Sequence, residues 1–211
     1  MSSITTITRR SRIGAGLVAA LTAVALVPAA ASASTTWFGS SLNHEPANAG
    51  SSCDQNNLDN PPFCTHVGSF YPGFSGRAQA TTSGTIVKIR VRAEGPMTMK
   101  FKLVRVRHLS PNHQSGQAKV IAVSRTLNVP GPSQTDVNNG VFPIQSFGVH
   151  IKVHRGDELA IDTNNNQAEY CSDGTPGQLT FFNPILALGD GFRSSQGTDD
   201  CLLLVQAVVK H

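Results

Sequence analysis

Residues 85–107 alternate apolar and basic side chains over two consecutive runs, and this pattern constrains the fold more than any other feature of the chain. Ile89 and Val91 alternate with cations in the first run, and Phe101 does so in the second. Strict alternation indicates β-strands that turn one face to a core and the other to water. Residues 94–96 (Glu-Gly-Pro) lie between the runs and are typical of a turn. The pattern therefore predicts a β-hairpin.

The register of this hairpin follows from keeping both apolar sets on one face, which pairs Ala93 with Met97 and Ile89 with Phe101. The opposite face then carries a ladder of cations, in which each facing pair repels by up to about 1 kcal/mol. One interpretation of this basic face is a solvated surface of long side chains, and the other is a site for an anionic polymer. The cations of the predicted face are Lys88, Arg90, Arg92, Lys100 and Lys102.

Residues 1–33 have the organisation of a signal peptide. Three arginines precede an apolar run at 13–27, and Ala31-Ser32-Ala33 supplies a small-residue cleavage pattern. Removing the three arginines from the 17 Lys+Arg of the chain leaves 14 against 13 Asp+Glu, so the net charge falls from +4 to +1. We therefore expect a secreted, extracellular protein with no membrane span in its mature part and no nucleic-acid partner.

The mature chain predicts an all-β protein. Short apolar runs at 118–124, 141–154, 158–162, 178–188 and 201–209 are separated by clusters of Pro, Gly, Asn and Asp. About eight such strands are typical of a single two-sheet antiparallel sandwich that is jelly-roll-like, with an immunoglobulin-like sandwich as the alternative. The last run is almost wholly apolar, which predicts a central strand buried on both faces.

Two segments are expected within the mature chain. Residues 34–74 are more polar and read as a lead-in that contains a disulfide loop and room for a first strand, whereas residues 75–211 form the sandwich domain. After residue 103 the alternation changes phase, because Val104 and Val106 are apolar where the earlier rhythm would place cations. This change predicts a bulge, or a crossing to another part of the sheet.

Four cysteines, an even number in an exported chain, predict two disulfides. Three pairings are open, and we favour the one that closes a short polar loop first and then joins two late strands. A zinc site is disfavoured because the chain has no Cys-x-x-Cys spacing. The favoured pairs are Cys53–Cys64 and Cys171–Cys201.

Three stretches together resemble a family of uncharacterised exported proteins of high-GC Gram-positive bacteria. They are TTSGTIVKIRVRAEG, FGVHIKVHRGDELAID and the closing LLLVQAVV, and the resemblance covers roughly residues 75–210. It implies a jelly-roll-like sandwich and carries no activity that could be transferred. The chain departs from the family pattern at Ile89, where a Trp is expected.

Oxygen-rich loops and scattered aromatic residues are the remaining candidates for ligand contact. Asp54, Asn56 and Asp59 could supply oxygen ligands to a structural calcium ion, but turn chemistry explains these residue types equally well, so we expect no cofactor. Aromatic side chains are candidates for stacking on a sugar ring. They are Trp37, Tyr71, Phe74 and Tyr170.

The sequence carries no nucleophile elbow, zinc-protease motif, P-loop or dinucleotide fingerprint. Glu158 and Asp162 could form an acid pair of the glycoside-hydrolase type if they met in a groove. The leading hypothesis is a secreted, non-enzymatic binding module for carbohydrate or an anionic cell-envelope polymer. The alternative is an extracellular structural or protein-interaction domain, and the third is a glycoside hydrolase-type enzyme.

Overall fold

The computed structural model describes residues 34–47, 64–111, 115–163, 165, 167–171 and 177–211. These residues are almost entirely β-structure, and the helix found among them, α1 (Gln134–Asn138), has five residues. No helix in these ranges has the length and apolar character needed to cross a membrane. The strands are β1 (Thr35–Ser40), β2 (Cys64–Phe70), β3 (Gly76–Arg77), β4 (Gly84–Arg92), β5 (Met97–Arg107), β6 (Gln117–Val129), β7 (Ile144–Val153), β8 (Glu158–Thr163), β9 (Glu169–Cys171), β10 (Gln178–Phe182), β11 (Arg193–Ser194), β12 (Gly197–Asp199), β13 (Cys201–Leu203) and β14 (Val205–Lys210).

These strands form two large antiparallel sheets and one small one. The five-stranded sheet has the order β3-β1-β14-β4-β7, and the seven-stranded sheet has the order β11-β6-β5-β8-β2-β10-β12. Strands β13 and β9 form a separate pair. Between the two large sheets lies the main core, which contains Phe38, Ile89, Phe101, Leu159 and Val205.

Eight of the strands give the sandwich its topology: β1, β2, β4, β5, β6, β7, β8 and β14. One sheet contains β1, β14, β4 and β7 as neighbours in that order, which are the first, eighth, third and sixth of these eight strands along the chain. The other contains β2, β8, β5 and β6 in that order, which are the second, seventh, fourth and fifth. The chain thus crosses from one sheet to the other at six of the seven connections between these strands, and only β5 and β6 are consecutive strands in one sheet, which is the arrangement of a jelly roll. The predicted all-β, jelly-roll-like sandwich is confirmed. Strands β1 and β2, which fall within the segment predicted as a lead-in, belong to its two sheets.

The predicted hairpin over 85–107 is wrong, although both of its strands exist. β4 pairs with β14 and β7, whereas β5 pairs with β6 and β8, so the two strands lie in different sheets and the pairing of Ala93 with Met97 does not form. Residues 93–96 turn a corner between the sheets. Because the sheets face each other, Ile89 and Phe101 still share one core, and both are fully buried. Alternation specifies which face is buried and leaves the partner strand open.

The phase change after residue 103 marks a bulge. The pairing of β5 with β6 shifts register between Leu103 and Val104 and once more between Lys100 and Lys102. The side chains of β5 keep alternating through this point, since its pairing with β8 has no shift. Val104 therefore lies with Lys102 on the far face of the sheet, in a second core, and Leu103 stays in the main core.

The seven-stranded sheet curls around this second core. Its two edge strands, β11 and β12, are separated by only two residues of chain, so the sheet must bend back until its edges nearly meet. Val67, Val104, Phe182 and Leu186 fill the space inside the curl. Residues 183–192 cover it, and Leu188 bridges to Val120 of β6.

The late strands agree with prediction in two respects. β14 lies in the middle of the five-stranded sheet, as predicted, and Val205 and Ala207 are fully buried. Its outer face carries the half-buried Val208 and the exposed Lys210, so the strand is not buried on both faces. The disulfide Cys171–Cys201 joins β9 to β13, as predicted. Cys64 is also disulfide-bonded, whereas Cys53, its predicted partner, lies outside the described residues.

Candidate functional site

The outer face of the five-stranded sheet is strongly basic. Its five strands contain six Lys or Arg residues and no Asp or Glu. Alternation along β4 turns Ile89 and Val91 into the main core and the intervening cations outward. The same reasoning turns Trp37 outward on β1, because its neighbour Phe38 is buried. Five cations belong to this basic sheet face: Arg77, Lys88, Arg90, Lys152 and Lys210.

The register of the strands places these side chains in rows across the sheet. Trp37 aligns with Val208, then with Lys88, then with Gly148. Adjacent strands lie about 4.8 Å apart and residues two apart on a strand about 7 Å. Trp37 and the backbone of Lys88 are therefore separated by about 10 Å, with the half-buried Val208 between them. Trp37 and Val208 therefore form a small apolar patch beside Lys88 on the basic sheet face.

A second row carries further charge. Lys210 aligns with Thr85, and Thr85 aligns with Lys152, so the two lysines flank one small side chain at a spacing of about 10 Å. Both lysines are exposed. Gly148 is also exposed, and a side chain there would meet no atom within 4 Å, so the surface beside Lys88 is open.

None of the five cations has an ion-pair partner within the described part of the chain. Arg90 donates from Nη1 to Gln206 Oε1 at 2.8 Å, which orients the guanidinium without neutralising it. Arg77 lies over the Trp37 ring at 5.2 Å from its centroid, within the range of a cation–π contact. The face therefore keeps its full positive charge, and a salt-dependent attraction for anions is the chemistry it offers.

The structure places the five predicted cations in different surroundings. Lys88 and Arg90 lie on the basic sheet face, whereas Arg92, which belongs to the same strand, donates from Nη1 to His44 O at 3.1 Å and is half-buried. Lys100 is exposed but lies on the seven-stranded sheet. No single stripe joins these residues, because the hairpin that would have aligned them does not form.

The prediction that Lys102 is exposed on the basic face is wrong. Its side chain is 3% exposed and points into the curl of the seven-stranded sheet, where Nζ contacts the carboxylate of Asp162 and donates to Leu186 O. The hydroxyl of Thr65 lies 3.4 Å from the same nitrogen and donates to Asp162 Oδ1 at 2.5 Å. Burial lowers the pKa of Lys102, and Asp162 opposes that effect. Lys102 is a structural ion-pair partner and is unavailable to an external ligand.

The four aromatic candidates do not form a common platform. Trp37 lies on the basic sheet face, and Phe74 is 96% exposed in a turn. Tyr71 is buried and donates to Leu203 O at 3.0 Å, and its pKa is raised by burial and by the charge of Glu158. Tyr170 stacks on His44 at a centroid distance of 4.8 Å. Only Trp37 can therefore contribute to a site shared with the cations.

Glu158 and Asp162, the predicted acid pair, do not meet in a groove. Glu158 and Asp162 are both about 1% exposed, and their four-residue spacing along β8 separates their backbones by about 13 Å. Glu158 accepts from Gln79, and Asp162 pairs with Lys102. Known acid pairs lie about 5–9.5 Å apart beside the substrate.

Two groups of residues are possible metal ligands. Asp54, Asn56 and Asp59 lie outside the described residues. Among the described residues, the ligand atoms of Glu169, Cys171 and Cys201 lie within 4.8 Å of one another. The two sulfurs are bonded to each other, so neither can act as a thiolate ligand.

A buried His–carboxylate pair lies beside the disulfide. His66 Nδ1 lies 2.5 Å from Glu169 Oε1, and both side chains are buried. Burial disfavours the charged imidazole, but the charge and hydrogen bond of Glu169, helped by Asp199 and Asp162, outweigh it and raise the pKa of His66. The pair is enclosed in the fold and belongs to its stability.

Three cations of the basic sheet face were not singled out from the sequence. Lys152 alternates with Val149, Ile151 and Val153 and so carries a visible outward signal, whereas Arg77 and Lys210 lie far from it in sequence. Only the pairing of β3, β1, β14, β4 and β7 brings them together. No family model, curated protein or solved structure matches the chain, so the site has to be interpreted from its own geometry.

Proposed function

We propose that the protein is a secreted, non-enzymatic binding module that holds an acidic polysaccharide of the cell envelope on the basic sheet face. One observation carries the proposal: five outward cations stand on a sheet whose strands contain no acid, and none of them is neutralised by a described residue. The signal-peptide composition of residues 1–33 supports export.

An acidic polysaccharide fits the mixture of groups on this face better than a simple polyanion does. Trp37 and Val208 offer an apolar surface of the kind on which a sugar ring packs. Lys88 and Lys210 flank that surface through the register of β14 and can receive the carboxylates of the same chain. The mature net charge of only +1 means that the attraction is local to this face.

Binding to polygalacturonate tests the proposal. The purified protein is titrated with polygalacturonate at 20 mM and 300 mM salt, with neutral dextran in parallel. We expect binding at low salt, at least tenfold weaker binding at high salt, and none to dextran, because exposed charges are screened within about 10 Å at 0.1 M salt. Binding that ignores salt, or equal binding to dextran, would refute an electrostatic site.

A matched pair of charge reversals locates the site. Lys88→Glu and Lys100→Glu make the same change at exposed lysines of inner strands, one in each sheet. We expect Lys88→Glu, alone or with Lys210→Glu, to weaken binding at least fivefold, and Lys100→Glu to leave it within twofold. Equal losses would show that only net charge matters. Release of reducing ends from the polymer would contradict the non-enzymatic part of the proposal.

A further inference from the structure

The edge of the five-stranded sheet at β7 is long and open. β7 has ten residues and no proline, and it pairs with β4 alone. Along its other edge, none of the described residues supplies a partner strand. A strand of this length presents a row of unused backbone donors and acceptors, which native proteins normally cover or blunt.

A second open edge faces β7 across a cleft. On its outer side β6 pairs with β11 at Gln117 and Ala118 and bridges to Leu188 at Val120, and beyond that point its edge has no partner in the described chain. The cleft between the two strands has a volume of about 500 Å³. Its lining residues are Val123, Ser124, Arg125, Gly148, Val149, His150 and Ile151.

The cleft combines an apolar floor with basic rims. Val149 and Ile151 turn toward the main core and remain half-buried, so an inward side chain of an added strand would pack against them. His150 and Lys152 alternate with them and are exposed, and Arg125 is exposed on the opposite wall. Neither β6 nor β7 contains an acid.

We propose that β7 receives an extended segment of a partner protein in which acidic and apolar residues alternate, added as a sixth strand of the sheet. Main-chain hydrogen bonds to the open edge would supply affinity, and alternate side chains would supply specificity. Apolar residues of the segment would face Val149 and Ile151. Acidic residues would lie opposite His150 and Lys152, where opposite charges across a strand pair are favourable.

Charge favours an acidic segment over a second copy of this chain as the occupant of the β7 edge. Pairing two β7 strands would join two basic sheet faces into one surface and bring Lys152, His150 and Lys88 of each copy together. A lysine on an edge strand is a common device against such self-pairing. The same lysine attracts an acidic segment. The inference does not rest on the proposed polysaccharide function.

The probe is a fluorescent nine-residue peptide of alternating Val and Glu, capped at both ends and followed by anisotropy. Two further peptides carry N-methyl groups on all Val amides or on all Glu amides, and each thereby loses the backbone donors of one edge. We expect the parent peptide to bind and at least one methylated peptide to bind at least tenfold more weakly. No binding of the parent, or equal binding of all three, would overturn strand addition.

Variants separate this site from the basic sheet face. His150→Glu with Lys152→Glu is expected to weaken peptide binding at least tenfold, and Lys100→Glu to leave it within twofold. Arg125→Glu is expected to weaken peptide binding while leaving polygalacturonate binding within twofold, because Arg125 belongs to the other sheet. Equal effects of Arg125→Glu on both ligands, or a dimer in sedimentation that His150→Glu with Lys152→Glu alters, would overturn the proposal.

Discussion

The ion pair between Lys102 and Asp162 makes a sharp prediction about stability. Both side chains are nearly inaccessible, at 3% and 1% exposure. The ammonium group has three oxygen neighbours, on Asp162, Leu186 and Thr65, so its hydrogen-bonding capacity is filled inside the fold. Lys102→Met keeps an unbranched side chain only one atom shorter and removes the charge. It leaves a buried carboxylate whose remaining described partner is the Thr65 hydroxyl.

Removing one partner of a buried pair costs about 3–5 kcal/mol, because the other charge stays buried without compensation. We expect Lys102→Met and Asp162→Val each to lower the free energy of unfolding by about that amount. Replacing both residues removes both charges, and we expect the double variant to cost less than about 3 kcal/mol. The two single losses would then exceed the double loss by at least about 3 kcal/mol.

Urea unfolding at pH 7 of the wild type, both single variants and the double variant measures this coupling energy. Lys100→Met is the matched control, since Lys100 is exposed on the same strand, and it should change stability by less than about 0.5 kcal/mol. If the single losses simply add, the two groups do not interact. If Lys102→Met is as mild as the control, Lys102 faces water and its placement inside the curled sheet is wrong.

Two further predictions concern the interior. Burial raises the pKa of Glu158 to about 7 against a hydrogen bond from Gln79 that lowers it, so the native state keeps a proton that the unfolded chain releases above pH 4.5. The stability from this group is full below pH 4.5 and falls by about 3 kcal/mol as the pH rises to 7. The raised pKa of His66 also lowers the free energy of unfolding as the pH rises, so the Glu158 effect is isolated by comparing Glu158→Gln with the wild type in urea unfolding from pH 4.5 to 7.5. The stability of the variant relative to the wild type should increase as the pH rises. Parallel curves of stability against pH would contradict the buried carboxyl. Replacing Cys171 and Cys201 by Ala removes a disulfide that joins residues 30 positions apart. It should lower the free energy of unfolding by about 3–4 kcal/mol in the same assay. A loss below about 1 kcal/mol would contradict the stabilising role of this disulfide.

The fold class was predictable because its signal is local. Alternation in β4, β5 and β7 marks each strand and its buried face, and the apolar run of β14 marks a central strand. Partner choice is not local. Residues 93–96 are as short as a hairpin loop, yet Met97 continues into the opposite sheet, because the jelly roll places β14 and β7 on the two sides of β4. Alternation of apolar and polar residues cannot distinguish a hairpin from a crossing between the two sheets.

The residues of the candidate site could likewise be predicted only where the alternation of their own strand marks them. Lys88 and Arg90 could be found because their own strand alternates. Arg77 and Lys210 could not, because they reach the same face only through the pairing of β3 with β1 and of β14 with β4. Lys102 has the alternation of an exposed cation, and its burial follows from the curl of the seven-stranded sheet, which turns the outer side of β5 into a second interior.

The distribution of acids explains how a chain with 13 acids against 17 Lys or Arg residues keeps one basic sheet face. Four acids are completely or almost completely buried, each beside a partner away from that face. Their partners are Arg105 for Asp157, Gln79 for Glu158, Lys102 for Asp162 and His66 for Glu169. Carboxylates held in the interior cannot move to neutralise Lys88 or Lys210. No two of the outward cations face each other directly across a strand pair, so their mutual repulsion acts over about 7–10 Å. It is a cost that the fold sustains without relief from its own described acids. An external polyanion bound to this face would remove that cost. We therefore expect ligand binding to raise the stability of the protein through the outer face of the five-stranded sheet, and not through the exposed cations of the other sheet.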